Sequence, residues 1–475
     1  METRATRFLY DHSPVFLQNV FASAYGWWKK RSRYGATFRK MEAFFADALT
    51  WPRSELEAYQ NEKLREMIAH AYEHTAFYRR RFDEAGLGPD DIRTVADLPK
   101  LPLLEKDDVR RMGREMLSDA YDPNQLAAHP TSGSTGMPLM LYTGPDAVEV
   151  EYAFDWARCR PTVRRGEPYA SFTGLEIVKP GCTRPPFWRD NWAANQRMYS
   201  VFHMSDANLA HYVRNLNRRP LVYMEGYPAP IYLIADYIER TGAEFSNYPR
   251  AVFTTAEELQ PVYRETIERV LHTKVWDSYG QGELTAAITE YPCGHMHYDL
   301  DYGVVEFQEV GRSEGLVEAE VIGTCLYNYA WPLIRYRVGD LVLYDPDEPV
   351  GPDCVNQGHI IRRIFGRTGR YFLLPDGTRV TNISVIAKKC RNVITMQVLQ
   401  EQAGAIEILV QKAPGFQPAD EQQILDMFAA KLGTDLEMSV RAVEKPLLSK
   451  RGKFMSIISR RGDQGSASAE SSRQA

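Results

Sequence analysis

The 475-residue sequence predicts an α/β protein. Its large, multi-lobed N-terminal domain combines mixed and parallel sheets with helices, and a small, mobile α+β lid follows. Three observations predict this. Residues 221–280 alternate short apolar strands with helical stretches, as parallel-sheet units do. Residues 301–380 turn strand-rich. Residues 394–443 read strand, strand, helix, strand, a separate small domain in size. A chain this long exceeds one ordinary core, so two or more domains are expected. The boundaries fall at 1–366 for the large domain, with a helical arm over 1–95, and at 367–461 for the lid. The Ser/Gly/Ala/Gln-rich tail 462–475 has the composition of a disordered segment.

Composition narrows the class. The chain is 44% hydrophobic and 25% charged, ordinary for a soluble globular protein. A formal net charge of −5 and a pI near 6.1 give no basic domain of the kind a nucleic-acid partner needs. Six scattered cysteines show no dense disulfide framework and fit a reducing cytosol. No secretory pattern follows Met1–Arg7, so a cytoplasmic location is expected. Val15-Phe16-Leu17, Val20-Phe21 and Trp27-Trp28 run into Lys29, Lys30, Arg31 and Arg33. That stretch is too short and interrupted to span a bilayer. It reads as an interfacial helix or as aromatics packed on the protein's own body. The large apolar area of aromatic rings favours the second.

The elements follow in order. Ser54-Glu55-Leu56-Glu57 has capping-box form. Leu64, Met67, Ile68, Ala71 and Tyr72 then recur at helical spacing, and Gly86 supplies a stop. Leu98–Pro102 is a rigid connector, and Lys106–Arg114 a short helix. Ala147–Cys159, Asp206–Leu216 and Ile231–Arg240 are helices. Leu221–Pro228 is a strand entering a Gly-Pro turn, Ala251–Glu258 a strand ending in small polar residues, and Lys274–Gly280 a strand and turn. In parallel sheets ligands bind at the carboxyl edge, where these turns lie. Leu316–Ile322 alternates, Leu333–Asp340 is a strand closed by a turn carboxylate, and Ile360–Arg370 sets arginines around Gly366. Ile394–Leu399, Ile406–Val410 and Leu436–Val443 are strands, with a helix over Ala419–Leu432.

The run Thr131-Ser132-Gly133-Ser134-Thr135-Gly136-Met137-Pro138 has phosphate-loop chemistry. Glycines permit close approach of backbone to an anion, amides form a nest, and hydroxyls add donors. It is not a P-loop, because no lysine follows the second glycine. A polar hairpin turn is the plain alternative. Four companions follow: Asp277–Glu283, Tyr336–Asp340, Gly366-Arg367 and Ser449–Lys453. Singly, each has a structural account. Asp340 after a glycine is a turn former, Glu283 a helix-start charge, and Lys450, Arg451 and Lys453 a surface cluster.

Together and in this order, they resemble the adenylate-forming superfamily of acyl-CoA ligases, amino-acid adenylation domains and luciferases. Within it the chain is most similar to the phenylacetate–CoA ligase-like branch, particularly its capsular-polysaccharide-type members. Leu139 stands where most of the superfamily has lysine. Gly226-Tyr227-Pro228, Thr254–Glu257 and Cys293 with His297 also fit the branch. The resemblance covers about Tyr10–Arg460.

It implies an enzyme that uses ATP and Mg²⁺ to activate an aryl or other small carboxylic acid as an acyl-adenylate. The acyl group would then pass to CoA, a carrier-protein thiol, an amine or a hydroxyl. Ser132, Gly133, Ser134, Thr135 and Gly136 would hold the β- and γ-phosphates. Glu283 would bind Mg²⁺. Asp340 would accept from both ribose hydroxyls, Arg367 would contact ribose or phosphate, and Tyr279 would stack on adenine. Ala256, Glu257, Asp277 and Gly280 fall near the same pocket, and Tyr223, Gly226, Tyr227 and Ser278 near the acid. Lys453, preferred over Lys450 for its Gly452 neighbour, would reach the reacting centre with Glu283 and Thr135. A homodimer is compatible with this reading.

Two departures keep an alternative open, a catalytically degraded nucleotide-binding scaffold. Thr368-Gly369-Arg370 stands where the family's hinge aspartate usually follows the arginine. The cysteine pair expected after Cys293 and His297 is also incomplete, since Cys354 is followed by Asn356 and Gln357. The chain offers Cys293, His295, His297 and Cys354, and Cys293, His297 and Cys354 with His359 would make a structural zinc site. The broken pair favours a metal-free remnant.

Overall fold

The computed structural model describes residues 4–130, and 139–365 apart from 180, 258, 260 and 314. It also describes 372–459, with gaps at 377, 381–382, 384–385, 387–389, 391, 403, 414, 445–446 and 448–456. Five helices open the chain: α1 (Arg4–His12), α2 (Val15–Arg33), α3 (Ala36–Ala48), α4 (Arg53–His74) and α5 (Ala76–Ala85). In α4 the expected face is buried, with Leu64, Met67, Ile68 and Ala71 fully enclosed. The capping-box reading is corrected. Pro52 occupies the cap with no side-chain bond, and Ser54 lies inside the first turn. Sequence periodicity also ran past a break at Thr75, whose extended backbone ends α4 and whose hydroxyl accepts from Tyr78 N at 3.2 Å to start α5. Gly86, at φ 66°, ends α5 as expected.

After α6 (Lys106–Met112) come β1 (Ala127–Pro130) and β2 (Met140–Thr143), paired antiparallel with His129 opposite Leu141. The Gly/Ser/Thr run, 131–138, lies outside the described residues, as do Arg367 and Lys453. Helix α7 (Pro145–Phe154) continues into a π-helical turn, Asp155–Cys159.

The next elements are β3 (Tyr169–Phe172), β4 (Trp188–Asn191), β5 (Gln196–Tyr199), α8 (Asp206–Leu216), β6 (Tyr223–Gly226), α9 (Pro228–Thr241), β7 (Ala251–Thr255), α10 (Pro261–Leu271) and β8 (Lys274–Gly280). Then follow β9 (Ala287–Glu290), β10 (Met296–Tyr298), β11 (Gly303–Ser313), β12 (Leu316–Cys325), β13 (Tyr336–Tyr344) and β14 (Ile360–Phe365). These twelve strands from β3 form one sheet, ordered β11-β12-β13-β14-β10-β9-β8-β7-β6-β3-β5-β4. Strands β5, β3, β6, β7 and β8 run parallel, as the alternating pattern predicts, and from β8 to β11 every pairing is antiparallel.

The antiparallel half curls. Tyr298 of β10 donates to the Gly303 carbonyl at 2.6 Å and accepts from Val305 N at 2.9 Å, both on the far-edge strand β11. Gln60 of α4 closes the same corner by donating to Tyr298 and to the Leu300 and Gly303 carbonyls. One apolar core fills the space between α4, α5 and this curled half. A second lies between α8–α10 and the parallel half.

The small C-terminal unit carries the hairpin β15 (Phe372–Leu373) and β16 (Arg379–Val380). It also carries β17 (Val393–Gln400), β18 (Ala405–Lys412), α11 (Pro418–Leu432), β19 (Glu437–Ala442) and β20 (Ile457–Ser459). Its four-stranded sheet runs β19-β18-β17-β20 around its own apolar core, built on Ile408, Val410, Ile424 and Phe428.

Candidate active site

Three parallel strands end level with one another. Gly226 of β6 pairs with Thr254 of β7, which pairs with Asp277 of β8. The residues that follow each strand share the carboxyl edge where ligands bind such sheets. Gly226 has φ 136°, and a Cβ there would fall 2.2 Å from the Phe172 carbonyl oxygen. Only glycine fits that approach. After β7, Ala256 adopts φ 70°, costly for a non-glycine residue and typical of functional turns. It turns Glu257 back toward the first turn of α9. Burial pushes the Glu257 carboxyl up to about 8, against the pull of the Ala229 amide. Its Oε2 is enclosed with no hydrogen-bond partner among the described residues.

Asp277 accepts from Thr254 Oγ1 at 2.6 Å, and burial lifts its carboxyl to about 7. Its backbone amide donates to Glu290, which is clamped by Arg264 at 2.6 Å. Ser278 donates to the Thr254 carbonyl at 3.4 Å. Gly280 has open space where a Cβ would stand.

Two contacts then bridge to the antiparallel half. The Tyr279 hydroxyl donates to Asp340 Oδ2 at 2.8 Å. The Tyr336 hydroxyl donates to Glu283 Oε1 at 3.3 Å. Asp340 is not the turn residue its Gly-Asp sequence suggests, because β13 runs through it to Tyr344. Arg337 pairs with Ile322 and Leu341 with Glu320, so three residues of β13 face one of β12. This bulge, with Gly339 at φ 85°, re-aims Asp340 toward β8. Long-range pairing outweighed the local turn signal.

The β1–β2 pair abuts this edge. A Cβ on Gly282 would meet Leu141 at 3.1 Å and His129 Nε2 at 3.9 Å. Leu139, standing where the superfamily has lysine, is 3% exposed and part of the core. Sequence reading missed Lys106 at the start of α6. Leu104 N donates to the Arg335 carbonyl, and Arg337 N donates to the Leu104 carbonyl. These bonds bring Lys106 Nζ to 3.4 Å from a Cβ built on Gly339. Only the backbone pairing reveals that nearness.

Tyr223 needs correction. It begins β6, is 1% exposed, and stacks on Tyr169 with ring centroids 4.7 Å apart. It is a core residue of the opposite strand end, so it does not line the acid pocket. Tyr227 caps α9, and its hydroxyl lies 3.2 Å from a Cβ built on Gly174.

A separate cluster could hold a metal. The ligand atoms of Cys293, His295, His297 and Cys354 lie within 4.8 Å of one another. Cys293 Sγ is 3.5 Å from His297 Nε2, and Cys354 Sγ is 3.9 Å from His295 Nδ1. The other ring nitrogen of His297 bonds the Gly358 carbonyl at 2.9 Å, the second bond that orients metal-ligating imidazoles. The donor set suits zinc. The expected fourth ligand is corrected: His359 bonds Arg53 outside the cluster, and His295 takes its place. Asn356 turns instead to Asp299 at 2.7 Å, beside the buried Arg158 that also pairs with Asp301.

Residues 372–460 match the family described as the CapK C-terminal domain. Protein CapK of Staphylococcus aureus is 29% identical over 380 residues, covering 80% of this chain and 81% of that protein. Phenylacetate-coenzyme A ligase of Escherichia coli (strain K12) is 39% identical over 320 residues, covering 60% of this chain and 67% of the ligase. The fold matches the crystal structure of 2-hydroxyisobutyryl-CoA ligase in complex with 2-HIB-AMP and CoA, with a TM-score of 0.56 and 18% identity over 89% of this chain and 94% of that one. Fold and sequence together define an adenylate-forming ligase. The chain belongs to the phenylacetate–coenzyme A ligase-like branch of that superfamily, which includes CapK.

Proposed function

We propose that this chain converts a small carboxylic acid and ATP into an acyl-adenylate and pyrophosphate, then transfers the acyl group to the thiol of coenzyme A. The relatives' names support acid activation and CoA as acceptor. The observation that carries the reading is Tyr279 joined to Asp340 at the carboxyl edge of β8. It sets an aromatic face for a base beside a carboxylate able to accept two ribose hydroxyls.

In this reading the protein positions groups and balances charge rather than doing covalent work. The acid's carboxylate attacks the α-phosphate, and pyrophosphate leaves. Glu283, which accepts from the Tyr336 hydroxyl, would hold Mg²⁺, and the ion would supply positive charge beside the pyrophosphate. Ser132–Gly136 give amides and hydroxyls to the β- and γ-phosphates. Leu139 gives no charge of its own, so these amides and hydroxyls, with any bound Mg²⁺, would have to balance the phosphates. Arg367 contacts ribose or phosphate, and Lys453 offsets charge growing on the α-phosphate. Ala256, Glu257, Asp277 and Gly280 frame the base; Gly226, Tyr227 and Ser278 frame the acid. Cys293, His295, His297 and Cys354 would hold a structural zinc.

Pyrophosphate release across a mixed acid library, with mass spectrometry of the products, tests this. The expected result is an acyl-adenylate that becomes a thioester when CoA is added. Lys453→Ala should cut adenylation far more than ATP binding, and Glu283→Gln should raise the Mg²⁺ requirement. ATP binding without pyrophosphate release for any acid would replace the reading with a nucleotide-binding scaffold. A product on an amine or carrier thiol would replace its second half.

A further inference from the structure

Helix α2 is built inside out. Its inward side chains are polar or small and are tied to the sheet edge by hydrogen bonds. Gln18, 5% exposed, donates to the Tyr10 and Ser13 carbonyls and accepts from Arg189. Asn19 accepts from Asp190 N at 3.0 Å, and Ser23 from Trp192 N at 2.9 Å. Gly26 leaves no room for a Cβ, which would fall 2.2 Å from Asn191 Oδ1. The outward face carries Leu17, Phe21, Tyr25 and Trp28 at helical spacing, 39–58% exposed, with Phe16 and Trp27 beside them. Phe8 and Leu9 of α1 extend it at 65% and 60%. Ordinary amphipathic helices bury the apolar stripe; this one holds on by its polar stripe and presents the apolar one. The sequence-based preference for packing against the protein's own body is therefore overturned.

Charge identifies the occupant. Between Asp11 and Glu42 the chain has no acidic residue but carries Lys29, Lys30, Arg31, Arg33, Arg39 and Lys40. This basic end belongs to a protein of net charge −5. Lys29 Nζ lies 5.6 Å from the Tyr25 ring centroid and 5.4 Å from that of Trp28, and Arg31 lies 4.5 Å from that of Trp27. Aromatic rings beside lysines and arginines are what a lipid headgroup region favours. A second copy of the same face would bring like charges together. No described helix is long and apolar enough to cross a membrane.

We propose that α1 and α2 dock this enzyme on the surface of an anionic phospholipid bilayer, with the aromatic face at the headgroup boundary and the basic residues on lipid phosphates. Co-sedimentation of the full-length protein with vesicles tests it. The protein should bind vesicles of phosphatidylcholine mixed with phosphatidylglycerol, bind phosphatidylcholine alone at least about tenfold more weakly, and dissociate as salt rises. The double variants Phe21→Ser/Trp28→Ser and Lys29→Glu/Lys30→Glu should each lower binding by about tenfold or more. Both should keep the wild-type thermal melt, since these side chains are largely outside the core. Failure of the wild type to bind anionic vesicles would overturn the proposal. So would binding that both variants retain, or a dimer in sedimentation velocity that Phe21→Ser/Trp28→Ser dissolves.

Discussion

Tyr279 and Asp340 touch at 2.8 Å although four strand-to-strand steps separate β8 from β13. In a flat sheet those steps would span about 19 Å, more than the two side chains can bridge. The contact therefore requires the antiparallel half to curl over the end of β8. The bulge at Val338–Asp340 completes the approach.

Asp340→Ala should weaken nucleotide binding by about 10–100-fold, the cost of losing hydrogen bonds to a charged acceptor. Tyr279→Phe should cost less, because it keeps the ring and loses only the bond that orients Asp340. Calorimetric titration of ATP into each variant checks both. Equal losses would mean the hydroxyl, not the ring, matters.

The cysteine–histidine cluster predicts about one zinc per chain by elemental analysis. Cys293→Ala and His295→Ala should both abolish it and lower Tm, while His359→Ala should keep the metal. Loss of zinc in His359→Ala but not in His295→Ala would reverse the ligand assignment made from geometry.

Glu257 predicts how stability changes with pH. Its folded carboxyl titrates near 8, above its ordinary range, because burial penalises the charge. The folded protein thus holds this proton more tightly than the unfolded chain does. Stability is unaffected by the group below about pH 4.5 and falls as pH rises toward 8. Glu257→Gln should flatten that decline. Its urea midpoint should match the wild type near pH 5 and exceed it near pH 9, by on the order of 2–4 kcal/mol in unfolding free energy. Parallel pH profiles for the two proteins would contradict the burial argument.

Gly226→Ala combines a positive φ with a clash against the Phe172 carbonyl. It should destabilise the fold by roughly 2 kcal/mol or more and lower activity with it. Gly280→Ala meets nothing within 4 Å and should leave Tm nearly unchanged. A thermal melt of the pair separates steric need from mere glycine content.

Much of this was legible in sequence because it is local. Helix α8 and the parallel strands β6–β8 follow from apolar spacing. What sequence hid depends on distant partners. Gly339-Asp340 has the signature of a turn, and only pairing with Glu320 and Ile322 makes it a bulge. Tyr223 looks like a pocket aromatic until Tyr169 and Phe253 enclose it. His359 sits closer in sequence to Cys354 than His295 does, yet β10 and the loop after Gly351 bring His295 to the cysteine. Lys106 gives no local sign at all.

Strand β8 is hydrogen-bonded to β7 in parallel and to β9 in antiparallel fashion, so it is the seam of the molecule. For anyone recombining homologues, that seam is the wrong place to cut. A chimera joined within 281–286 would take Tyr279 and the turns after β6 and β7 from one parent and Asp340 from another. Correct folding of both pieces would not suffice, since the curl of the second must still deliver its carboxylate to the first parent's tyrosine. Crossovers before β6 or after β14 keep the pair within one lineage, and they are where functional hybrids should be sought.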